Sequence, residues 1–229
     1  MRIPYIIKRN LTKTTAIWLA ATATVIMLAS FGIIPTSFVE VAGFLSGALC
    51  VWLLVKQNIW NWPIGIINAL AYIILFYQAK LYADMALQVV YIVLGVFGWY
   101  WWLRGGENKS ELRVQRTSAK HALILLTVAV VATYTMYTYL VKIGDSAPFL
   151  DALTTVMSLV AQYMLTRKLI ENWAIWIAAD VIYIGLYASR GLYLTSILYA
   201  VFLSLCIAGA IEWYRSRKAT LATETDGQL

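Results

Sequence analysis

The residues able to do chemistry in this chain are polar groups set inside apolar runs. Asp180, Asn68, Gln88 and Gln162 each stand in a stretch long enough to cross a bilayer, beside aromatic side chains at helical spacing. Steps of three and four place Asp84, Gln88, Tyr91, Gly95, Gly98 and Trp102 on one face, and Trp173, Trp176, Asp180, Tyr183 and Tyr187 on another. Asn61, Asn68 and Tyr72 share a third face, and Asp151, Thr155, Ser158 and Gln162 a fourth. A carboxylate at membrane depth costs at least about 2.5 to 3.5 kcal/mol and faces a bundle interior or a wet cavity. One such group can serve only to bond helix to helix. Several faces of this kind together point to a cavity.

Rings around one carboxylate suit a flat cation, where stacking and cation–π attraction supply about 2 kcal/mol or more once water is excluded. Amides and hydroxyls suit a sugar. No Arg or Lys cluster lies at membrane depth, and phosphate recognition normally employs those residues. The expected ligand is therefore small, uncharged or cationic, and not phosphorylated. The candidate site is Asn68, Gln88 and Gln162 as hydrogen-bond partners, Tyr72, Tyr91, Trp176 and Tyr183 as an aromatic enclosure, and Asp180 as counter-charge. The single histidine, His121, sits at a span edge with no acid pair beside it, so an enzyme is not expected. GGENKS lacks phosphate-loop spacing. Cys50 and Cys206 lie in apolar runs without a CxxC, which argues for core packing and against a metal or cofactor.

The elements that must position these groups follow from composition. The 229 residues are 62% hydrophobic and 13% charged, with mean hydropathy +0.73, which describes an all-α polytopic membrane protein. Eight spans are expected. The first, about 14 to 34, follows a basic start, is too long for a signal peptide and ends at Pro35. The others cover about 38 to 56, 60 to 79, 84 to 103, 121 to 141, 149 to 166, 173 to 189 and 193 to 214. Gly43 and Gly47 in the second have the spacing for close helix approach, and their face, like the extra first helix, is available for contacts outside the transport core. Residues 104 to 120 read as a polar surface loop or a short amphipathic piece, and 215 to 229 as a polar, mobile tail. Trp60, Trp99, Trp101, Trp102 and Trp213 lie at span ends, where interfacial tryptophans anchor.

Lys80, Lys142 and Arg190 fall in alternate turns, and the remaining fifteen of the 18 lysines and arginines fall on the opposite side. That bias sets both termini in the cytoplasm; the net charge of +7 is a matter of topology and calls for no nucleic acid. The chain also repeats itself. A shift of 111 positions lays residues 61–102 on 172–213 with fourteen identities in 42 positions, among them Asn61 on Asn172, Trp62 on Trp173, Gly98 on Gly209 and Trp102 on Trp213. The expected architecture is 1+3+1+3: an extra helix (1–37), a three-helix repeat (38–104), a loop and linker helix (105–148), a second three-helix repeat (149–214) and the tail (215–229). An even number of spans separates the repeats, so they run parallel, an arrangement that places a transport site where they meet.

The segments WNWPIG, LYADMALQVVY with GWYWW, and QYMLTRKLIENWAIWIAADVIYIGLYASRGLYLTSILY resemble the PnuC nicotinamide riboside transporters over about residues 40 to 215. The resemblance implies facilitated uptake of nicotinamide riboside across a bacterial inner membrane, with a cytosolic kinase trapping the nucleoside, in a fold similar to the SWEET sugar transporters and in homo-oligomers, as trimers. Relatives in the same superfamily carry riboflavin or thiamine, which is the alternative substrate reading. Asp180 stands where the resemblance implies an amide. It is either the partner of the pyridinium or a protonated structural group.

Overall fold

The computed structural model describes residues 38 to 226 apart from 79–81, 146, 190 and 192. The expected first span and the turn residues Lys80 and Arg190 fall outside the described residues, as do the side chains of Gly43's neighbourhood, Asp84 and Thr195. Seven α-helices are described: α1 Phe38–Val55, α2 Asn61–Gln78, α3 Tyr82–Arg104, α4 Ala119–Lys142, α5 Pro148–Thr166, α6 Asn172–Ser189 and α7 Tyr193–Asp226. By length and composition Met85–Arg104, Ala119–Lys142 and Pro148–Thr166 can each cross a membrane.

Six helices form a closed ring in which α1 packs on α2 and α7, α2 on α3, α3 on α5, α5 on α6, and α6 on α7. The linker helix α4 packs on α5 from outside the ring and buries none of its residues. Ser118 starts it by accepting the His121 backbone N–H. Its exposed Leu123, Leu126, Val130 and Val131, like Ile67 and Ile74 on α2, suit hydrocarbon.

The sequence repeat is a repeat of hydrogen bonds. Helices α1 and α5 both end on a left-handed residue that is not glycine, Gln57 (φ 52°) and Lys168 (φ 50°). In each turn this residue's N–H returns to the carbonyl three positions back, Leu54 or Leu165, and the next N–H returns to Leu53 or Met164, the pattern that satisfies the last carbonyls of a helix. Each following helix opens on an asparagine whose Nδ2 donates to the backbone three residues earlier, Asn61 to Asn58 at 2.8 Å and Asn172 to Leu169 at 2.6 Å. Beside them Trp62 meets Trp102, and Trp173 meets Trp213, each pair edge-on at 5.4 Å and 88°. The close approach requires glycine opposite each ring: a Cβ on Gly98 would lie 2.3 Å from Trp62, and one on Gly209 2.5 Å from Trp173. Trp102 and Trp213 join the pairs into a row of four indoles.

Four expectations are corrected here. Trp102 and Trp213 are 2% and 0% exposed; they are core rather than interfacial anchors, because each indole is clamped between the repeats. Residues 105–118 are a strap, not a surface loop. Leu112 and Val114 are buried against the indole row, worth about 1.5 to 3 kcal/mol each at a water-facing end, and Gln115 exchanges backbone hydrogen bonds with Lys168 and Ile170. The tail continues α7 as helix to Asp226, since residues 215 to 226 contain neither Gly nor Pro to stop it. Gly47 packs toward Phe202 of α7, inside the molecule rather than at a face free for another copy.

Candidate transport cavity

The ring encloses a cavity of about 490 Å³ between the two halves. Seven of the eight expected site residues line it: Asn68 and Tyr72 from α2, Gln88 and Tyr91 from α3, Gln162 from α5, and Trp176 and Asp180 from α6. They converge because helices from both repeats turn these faces inward. The eighth, Tyr183, is not among the lining residues and stands behind Tyr199, their ring centroids 4.7 Å apart. Tyr187 stacks on Tyr199 at 5.3 Å, so Tyr199 is the ring that this tyrosine cluster presents to the cavity. Its position on one face with Phe202 and Cys206 was the sequence signal for it.

Asn68 is oriented by Ser46, whose hydroxyl donates to Oδ1 at 2.9 Å. Tyr91 lies beside Ser158 and Tyr183 beside Thr154. Asp180 is 5% exposed and faces the Cys206 thiol, so both cysteines, Cys50 and Cys206, line the cavity rather than only filling core. Four buried polar atoms along the wall have no hydrogen-bond partner: Asp180 Oδ2, Asn172 Oδ1, Trp62 Nε1 and Trp173 Nε1. Buried polar groups are rarely left so. These four atoms are covered in this conformation, so they meet a ligand only where the wall shifts to uncover them. Among the described residues no Lys or Arg lines it, and no cluster of ligating side chains could hold a metal ion.

A larger groove of about 940 Å³ runs between α4, α5 and α6, walled by Leu126, Val130, Phe149 and Leu153. It carries little that could recognise a polar molecule and lies outside the ring.

At one end the cavity is floored by Asn61, Trp62, Asn172 and Trp173, with the indole row and the strap beneath. The strap is fastened by Glu171, which accepts from the Thr117 N–H at 3.0 Å and hydroxyl at 2.8 Å and pairs with Arg116 at 3.4 Å. Burial acts to raise the Glu171 pKa, but the hydrogen bonds from Thr117 and Arg116 outweigh it and hold the carboxyl below its ordinary range.

A ring of helices around a cavity lined by polar and aromatic side chains suits a carrier. Residues 37–215 match the family described as nicotinamide mononucleotide transporter. The chain belongs to that family. It is accordingly a membrane transporter and not an enzyme. It is 30% identical over 208 residues to the nicotinamide riboside transporter PnuC of Escherichia coli (strain K12), covering 80% of this chain and 87% of that one. It is also similar to the riboflavin/roseoflavin transporter RibM of Streptomyces davaonensis, 26% identical over 188 residues, with 78% and 86% covered. The crystal structure of the vitamin B3 transporter PnuC superposes with a TM-score of 0.68 at 26% identity, covering 95% of this chain and 94% of that one.

Proposed function

We propose that this protein carries nicotinamide riboside across the bacterial inner membrane by facilitated diffusion, its two three-helix repeats rocking about the central cavity. The observation that carries the reading is the pairing, in one cavity, of a buried carboxylate with an unpartnered oxygen, Asp180, and a surround of rings from Tyr72, Tyr91, Trp176 and Tyr199. A pyridinium is a flat cation fitted to such a surround. Its carboxamide and the ribose hydroxyls supply partners for Asn68, Gln88 and Gln162. The lack of a lining cation disfavours the phosphorylated mononucleotide. Trapping by a cytosolic kinase would draw the flux inward without coupling machinery.

The 1+3+1+3 arrangement of eight spans with parallel repeats, both termini in the cytoplasm and a homotrimer are parts of the same proposal. Under it, the indole row and the strap lie at the cytoplasmic end, because that end carries Lys56, Arg104, Arg113, Arg116 and Arg167. Transport of riboflavin is the second reading, favoured by the similarity to RibM; thiamine, itself a flat cation, is a third candidate for the same cavity.

The test is equilibrium binding of nicotinamide riboside, its mononucleotide, riboflavin and thiamine to the purified protein, followed by tryptophan fluorescence. Binding of the riboside alone is expected, weakened by Trp176→Ala and by Gln88→Ala without loss of folding. A different vitamin bound in its place would overturn the substrate and leave the carrier.

A further inference from the structure

Lys168 lies at the seam between the repeats and is 7% exposed. Its Nζ stands 4.3 Å from the centroid of the Trp102 ring and donates to Gln57 Oε1 at 3.4 Å, beyond the usual range for such a bond. Gln57 is its own counterpart 111 positions earlier, so the two left-handed turn residues meet across the seam. Among the described residues no carboxylate reaches ion-pair distance of this ammonium, and Glu111 is the acid whose field acts on it. Burial pushes the Lys168 pKa down to about 8, against that field. One long amide contact and one ring compensate a desolvated charge only in part.

We infer that Lys168 is a positioning residue for transport, a buried charge that weakens the closed seam and so sets how readily the cavity opens at this end. Lys168 belongs to the second repeat, while Gln57 and Trp102, which cover it, belong to the first. When the repeats part, the ammonium regains water. A neutral side chain of the same length would make closure more favourable, and a carboxylate in place of the Gln57 amide would do the same by pairing the charge. The inference rests on the alternating-access reading above.

The experiment uses the full chain at pH 7, with Lys168→Met and Gln57→Glu beside the unsubstituted protein. Three quantities are measured: the thermal midpoint in detergent without ligand, equilibrium binding of nicotinamide riboside, and riboside flux into proteoliposomes. Both variants are expected to melt higher, to bind within about twofold of the unsubstituted protein, and to transport about tenfold more slowly. A structural latch would give the reverse, and a lower midpoint or an undiminished flux for Lys168→Met overturns the inference. If the unsubstituted protein neither binds nor moves the riboside, the substrate reading fails instead; the ligand-free midpoints still decide whether the buried charge opposes closure, and unchanged or lowered midpoints overturn it.

Discussion

Trp102 and Trp213 are repeat counterparts that exchange places: Trp102 donates its indole N–H to the Leu165 carbonyl at 3.1 Å, and Trp213 donates its own to the Leu54 carbonyl at 3.0 Å. Leu54 and Leu165 are themselves 111 positions apart. Each half therefore caps the other's helix end, and the two rings touch at 5.9 Å.

Replacing either indole by phenylalanine keeps a ring and deletes the donor. Trp102→Phe and Trp213→Phe should each lower stability by about 0.5 to 1.5 kcal/mol, the net worth of one hydrogen bond, because the Leu165 and Leu54 carbonyls keep their backbone donors, the Lys168 and Gln57 N–H groups. Thermal melting in detergent reads this out. The double variant should lose less than the sum, since both bonds hold one seam; strict additivity would show that the two bonds act independently.

Glycines provide an internal contrast. Gly98→Ala and Gly209→Ala would set a Cβ 2.3 Å and 2.5 Å from a buried indole, and overpacking of this kind costs about 1 to 3 kcal/mol or more. Gly185→Ala meets no atom within 4 Å and replaces a helical glycine, so it should leave the melting midpoint unchanged or raise it. Equal effects at all three positions would contradict the packing described.

Asp180→Asn preserves shape and removes charge. Affinity for the pyridinium nucleoside should fall about tenfold, or about 1.4 kcal/mol, while affinity for its neutral dihydropyridine analogue stays the same. Competition binding with the two ligands measures the ratio. An equal fall for both would assign Asp180 a structural role.

Glu171 links the strap to pH. Its folded pKa lies below the ordinary value, so the stability it contributes is present above the unfolded pKa and is lost as pH falls through the folded one. Glu171→Gln should melt lower than the unsubstituted protein at neutral pH and should flatten the acid limb of the stability profile. Parallel profiles for the two proteins would show that the strap is held without Glu171, by Leu112, Val114 and the Gln115 backbone bonds.

Much of this was legible in the sequence for a definite reason. A duplicated unit leaves identities where both copies need the same packing, and Asn61 with Asn172, Trp62 with Trp173, Gly98 with Gly209 and Trp102 with Trp213 are the parts of the seam. Polar residues at membrane depth are costly enough to be conspicuous, which is why seven of the eight expected residues converge on one cavity. The cavity itself lies where the copies differ: Gln88 answers Tyr199, Ala69 answers Asp180, Gly65 answers Trp176 and Val51 answers Gln162.

The amino-acid sequence by itself determined the membrane class, the helical faces and the period of 111, because apolar length, helical spacing and self-similarity are properties of a single chain read in order. Only the tertiary structure decided that Trp102 and Trp213 leave the interface for the core, that residues 105–118 strap one repeat to the other, and that Tyr199 rather than Tyr183 faces the cavity. Those outcomes depend on which carbonyl, ring or backbone edge lies across a seam between segments 63 to 159 residues apart. No local pattern records what stands on the other side.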